Sequence, residues 1–110
     1  MPEEKPEEMV EQFQIYQQQL QNVLIQKEGL KMQSMEIDRA IEELDKTNQK
    51  TAYKITGQIM ISKPVEELKK DLNETKETIE VRIKGLEKTE ERMVNKLKEL
   101  QEKLKDVIKE

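Results

Sequence analysis

The apolar pattern of this chain is reflected about Thr56–Gly57, and that reflection constrains the fold more than any other feature. Met9, Phe13, Tyr16, Leu20, Val23, Lys27, Leu30, Ser34, Ile37, Ile41 and Leu44 follow one another at alternating steps of four and three residues. Such spacing is the core seam of a coiled coil, interrupted here at Lys27 and Ser34. A second seam runs through Leu68, Leu72, Thr75, Ile79, Ile83, Leu86, Glu90, Met93, Leu97, Leu100 and Leu104. Folding the chain at Gly57 sets Leu44 by Leu68, Ile41 by Leu72, Leu30 by Ile83, Leu20 by Met93, Phe13 by Leu100 and Met9 by Leu104. Each pair of residue numbers adds to 112 or 113. The sequence therefore predicts a mostly α fold, a long antiparallel two-helix coiled-coil hairpin.

Composition agrees with a narrow apolar stripe. With 40% charged, 34% hydrophobic and 3% aromatic residues in 110, the chain cannot fill a broad globular core, and the sustained heptads decide against disorder. One structural unit over residues 1–110 is expected. The absence of Cys and His removes disulfides, thiolate metal sites and the commonest general base. No cofactor and no metal is expected. No apolar run approaches the roughly 20 residues that span a membrane, and no signal peptide is visible. A soluble, cytoplasmic protein is the expectation.

Residues 1–50 carry 6 basic and 11 acidic side chains, and residues 51–110 carry 14 and 13. Neither half resembles a phosphate-binding surface, which needs a basic stripe. The charges read as a solvated helix exterior, supported by the i,i+4 pairs Glu42–Lys46, Glu66–Lys70, Glu80–Lys84 and Glu99–Lys103. An enzyme is not expected either, because these groups lie along exposed helix faces with no segment to enclose a pocket.

Along the chain, residues 1–5 read as a frayed tail. Pro6 suits a first helical turn, and Glu7 and Glu8 complement the helix dipole, so the first helix is placed over 6–46. The second is placed over 64–108, with Pro64 in its first turn ahead of Glu66 and Glu67. Its seam steps by four twice in succession around Ile79–Ile83, a stutter that locally unwinds a supercoil. Gly29 and Gly85 face each other in this arrangement. They are either a coincidence on non-core faces or a flexible collar. Lys27 and Glu90 fall at core positions on facing helices, and Lys27 either snorkels to solvent or forms a part-buried ion pair with Glu90.

Between the helices, residues 51–63 change period from 3.5 to 2. Tyr53 and Ile55 alternate with Lys54 and Thr56, while Ile59 and Ile61 alternate with Gln58, Met60 and Ser62. β-Branched and aromatic residues around a central Gly predict a β-hairpin. A three-residue loop centred on Gly57 would pair Ile55 with Ile59 and Tyr53 with Ile61, all four on one face. That register is preferred over a Thr56–Gly57 turn, which pairs Ile55 with Gln58 and Tyr53 with Met60. A lone hairpin is marginal in water and exposes two edges and an apolar face. The oligomerisation residues are therefore Tyr53, Ile55, Gly57, Ile59, Met60 and Ile61, with hairpins from several chains closing into a β-barrel hub.

At these residues the chain resembles the beta class of the archaeal prefoldin family. The resemblance rests on Tyr16-Gln17-Gln18-Gln19-Leu20-Gln21, on the hairpin from Ala52 to Ile61, and on Leu86-Glu87-Lys88-Thr89-Glu90-Glu91-Arg92. A single hairpin matches the beta class, since alpha subunits carry two. The resemblance implies a hexamer of two alpha and four beta subunits with coiled-coil tentacles around a cavity. It implies an ATP-independent holdase that binds unfolded clients and delivers them to a group II chaperonin, with no nucleic acid or membrane partner. Partly exposed apolar residues at the tentacle tips hold the client in this family. The matching positions are Met9, Phe13 and Tyr16 on the first arm and Leu97, Leu100, Leu104, Val107 and Ile108 on the second. At rest Phe13, Leu97 and Leu100 are expected to be packed in the seam. A structural or tethering coiled coil, or a self-assembling filamentous relative, is the alternative reading.

Overall fold

The computed structural model describes residues 5–109, with side chains through Val107. The tail expected over residues 1–5 lies, apart from Lys5, outside the described residues. Helix α1 runs Pro6–Lys46, strands β1 and β2 run Thr51–Thr56 and Ile59–Pro64, and helix α2 runs Val65–Lys109. Pro6 opens α1 where its missing N–H is no loss, Glu7 and Glu8 lie at the positive end of the dipole, and Lys46 lies at the negative end. Beyond Lys46 the Gln49 N–H donates to Thr47 Oγ1 at 3.2 Å, which turns the chain towards β1.

Pro64 differs from expectation. It ends β2 opposite Thr51 instead of opening α2. A proline without an N–H is tolerated at the end of a ladder, so the strand extends to it. The helix then starts at Val65, whose N–H is one of the four orphan donors of a helix start. It donates to the Lys50 carbonyl at 2.9 Å, tying the entry of β1 to the root of α2.

The hairpin register also departs from both alternatives. The pairs are Thr56↔Ile59, Ile55↔Met60, Lys54↔Ile61 and Tyr53↔Ser62, closed by a two-residue turn at Gly57 and Gln58. Gly57 has φ +61°, and among the described residues no non-glycine has positive φ. Positive φ at the first central residue alone is the II′ pattern, which matches strand twist and calls for Gly at that place. Turn geometry thus outranks the grouping of isoleucines on one face. Directly opposed residues share a face, so Tyr53, Ile55 and Met60 lie on one side and Ile59 and Ile61 on the other, beside Lys54 and Thr56.

The described chain forms two compact units. In the unit Gly29–Ile83, the roots of both helices carry the hairpin and bury Leu30, Val65, Leu68 and Ile79. Two ion pairs fix the antiparallel register there, Asp38 with Lys76 at 2.5 Å and Asp45 with Lys69 at 2.9 Å. The partners are seven residues apart on each helix and run in opposite senses, as flanking positions of an antiparallel pair must. In the second unit, α1 up to Glu28 lies with α2 from Lys84 on, and Met9 and Leu100 are buried. The boundary falls at Gly29 and just before Gly85. A Cβ on either would meet nothing within 4 Å, so packing does not require glycine at those places.

One seam position is reassigned. Thr75 is exposed, and its hydroxyl donates to the Asp71 carbonyl at 3.0 Å. Lys76 is half-buried in its stead, its stem sheltered and its ammonium on Asp38. The consecutive four-residue steps therefore run Leu68–Leu72–Lys76, ahead of the place predicted. Among the described residues none of the four expected i,i+4 surface pairs forms. Glu66 meets Lys69 and Glu80 meets Lys76 instead, at 3.4 and 4.0 Å, and each of these lysines also bonds a carboxylate on α1.

Candidate interaction surfaces

The first surface is the hairpin. Tyr53, Ile55, Gly57, Ile59, Met60 and Ile61 are all exposed, from 42% at Ile61 to 72% at Ile55. Only Ala52 and Lys63 of the two strands are half-buried. Lys63 reaches Asp71 at 3.5 Å and Glu67 at 3.9 Å, which fastens β2 to the first turns of α2. Under the hairpin, Ala52, Tyr53 and Lys54 overlook a groove of about 590 Å³ walled by Ile37, Leu44, Leu68 and Leu72. Ala52 and Lys54 were missed as surface-forming residues. The register would have revealed them, since it puts both on the face of Ile59 and Ile61.

The second surface gathers the sheltered residues of the other unit. Met9 and Leu100 are buried, Phe13, Tyr16, Leu97 and Leu104 are half-buried, and Val107 is 38% exposed. The Ile108 side chain lies outside the described residues. All eight predicted tip positions thus belong to one unit; six of their side chains are sheltered in the seam, and Val107 is open to solvent.

In the same unit Lys27 Nζ donates to Glu90 Oε1 at 2.5 Å, with side-chain exposures of 15% and 29%. Of the two readings, the ion pair is the one found. The hydrogen bond to Glu90 holds the Lys27 ammonium above the ordinary lysine range against the opposing effect of burial, and the charges of Glu90, Glu87 and Glu28 add to it. Lys69 is raised in the same way by Asp45, and Lys76 by Asp38. Among the described residues no cluster of acidic side chains could hold a metal ion, and no helix is long and apolar enough to cross a membrane.

Residues 7–110 match the family model described as prefoldin subunit. The chain belongs to the prefoldin subunit family. The beta subunit of prefoldin from Archaeoglobus fulgidus is 38% identical over 101 residues, covering 91% of this chain and 87% of the relative. The Thermococcus onnurineus prefoldin beta subunit is 35% identical, covering 92% and 88%. The crystal structure of the prefoldin beta subunit from Thermococcus strain KS-1 superimposes with a TM-score of 0.85 at 31% identity, covering 93% of this chain and 90% of that one. The resemblance read from the Tyr16–Gln21 and Ala52–Ile61 segments is thereby upheld, as is the fold class of two long helices joined by a β-hairpin. The family acts as a chaperone, and membership implies assembly with other prefoldin subunits.

Proposed function

We propose that this chain is the beta-type subunit of a cytoplasmic, ATP-independent holdase. Two alpha-type and four such subunits join through their hairpins into a β-barrel hub, hold unfolded clients at the far ends of their coiled coils, and pass them to a group II chaperonin. The observation that carries this reading is an apolar hairpin left uncovered on both faces. Full burial of an Ile, Met or Tyr side chain is worth about 1.5–3 kcal/mol, whereas association costs about 4–15 kcal/mol in lost freedom. These side chains are already part-sheltered, so covering Ile59 and Ile61 alone falls short of that cost. Covering Tyr53, Ile55 and Met60 as well brings the gain into the lower half of its range, so a neighbour is needed on each side. Met9, Phe13, Tyr16, Leu97, Leu100, Leu104, Val107 and Ile108 are the proposed client contacts. They become available when the pairs open, and adaptable apolar side chains suit non-specific clients.

The complex with an alpha-type partner should suppress aggregation of a denatured test protein without nucleotide. Removal of residues 97–110 should abolish suppression while native mass measurement still finds the assembled hub. Suppression that survives this truncation would sink the assignment of the tips.

A further inference from the structure

Residues 12–26 of α1 contain no charged side chain, in a protein that is 40% charged, while more than half of residues 84–109 on the opposing helix are charged. Folding does not require this. Gln has nearly the helix propensity of Glu and Lys, and on an exposed face charged residues would add i,i+4 pairs that Gln does not supply. The exposed positions are taken instead by glutamines and by Ile15, Leu24 and Ile25, the last 62% exposed. Within this unit a groove of about 530 Å³ has Leu20, Leu24 and Leu97 as its apolar walls and Gln14, Gln18 and Gln21 among its rim.

We propose that this flank of α1 is a docking surface for unfolded polypeptide and that it selects extended segments lacking charged side chains. The inference rests on the holdase reading and adds to it the class of client segment. A charged rim would be costly to dehydrate and would discriminate by sign. A carboxamide costs less to dehydrate, and it both donates and accepts, so Gln14, Gln18 and Gln21 can meet peptide N–H or C=O groups in either chain direction. Apolar side chains of the same segment enter between Leu20, Leu24 and Leu97. Charge matching fixes the occupant. A surface without formal charge offers nothing to compensate a Lys or Glu stripped of water, so segments bearing them are left in solution.

The test uses the full chain in complex with an alpha-type partner, fluorescence anisotropy and two labelled synthetic peptides with identical apolar residues, one spaced by Ser and Asn and the other by alternating Lys and Glu. The wild-type complex should bind the uncharged peptide about tenfold tighter or more. Two variants, Gln14→Glu with Gln21→Glu and Gln14→Lys with Gln21→Lys, should each weaken that binding by a similar factor with helicity by circular dichroism unchanged. Equal wild-type affinity for the two peptides overturns the proposal without any variant. So does weakening by one sign of charge and strengthening by the other, which marks ordinary long-range attraction. If the glutamine variants bind normally while truncation of residues 97–110 still abolishes aggregation suppression, this surface falls and the holdase reading stands. If the wild-type complex neither binds peptide nor suppresses aggregation, both fall.

Discussion

Lys27 and Glu90 show how a polar pair is kept inside a seam that otherwise wants leucine. Each occupies a core position, and each would be a half-buried charge without the other, so removing one partner is worse than removing both. Lys27→Met and Glu90→Leu should each lower the melting temperature, and the double variant should recover much of the loss. Thermal melts of the four proteins measure the coupling, and additive effects would mean that the pair contributes nothing. The pH dependence follows from the direction of the shift. A lysine raised in the folded state adds stability that is complete below its unfolded value of about 10.4 and is lost as pH climbs through the higher folded value. Since Lys27, Lys69 and Lys76 are all raised, the melting temperature should fall in that alkaline range, and the fall should be smaller in Lys27→Met. The seam spacing placed both residues of this pair at core positions one turn apart on facing helices. It could not choose between snorkelling and pairing, because both satisfy the same 3,4 pattern and differ only in rotamer.

At the scale of elements, the two helices were legible because a 3.5-residue period over ten steps overrides any single lapse such as Ser34. The switch at Thr75 and Lys76 was not legible. A hydroxyl that can bond its own helix carbonyl and a lysine that can lie along an apolar stripe exchange places at little cost, and periodicity is blind to both devices. The hairpin was legible as an element but not in register. Period 2 assigns Tyr53 and Ile55 to one face of β1 and Ile59 and Ile61 to one face of β2. Whether those faces coincide depends on which two residues form the turn, and the left-handed requirement at Gly57 decided it. Gly29 and Gly85 have no such requirement. With open space where a Cβ would stand, Gly29→Ala and Gly85→Ala should each stabilise the helix by about 1 kcal/mol, read from denaturant melts. Destabilisation by either would mean that the helical backbone at that point is strained in a way its neighbours do not reveal.

At the scale of the whole molecule, the candidate contacts sort into those visible in the pattern and those that needed coordinates. The eight tip residues were reached by resemblance laid on the seam. The two-sided hairpin was not, since a sequence reading looks for one face to bury. It yields a distinct prediction. Ile55→Ser and Ile59→Ser lie on opposite sides of the hairpin, yet each should weaken assembly by tenfold or more, about the loss of one buried isoleucine, as measured by native mass across a dilution series. An assembly that tolerates Ile59→Ser and fails only with Ile55→Ser would show that one side alone is covered.

A ribbon with oil on both its surfaces has no comfortable halfway stage. In the proposed hub, a complex lacking one member would leave that member's neighbours with a wet apolar flank, so incomplete hubs would be less favourable than either lone chains or the closed hub. Titration of subunits should accordingly yield two populations with little between them, and exchange of members between finished complexes should be slow.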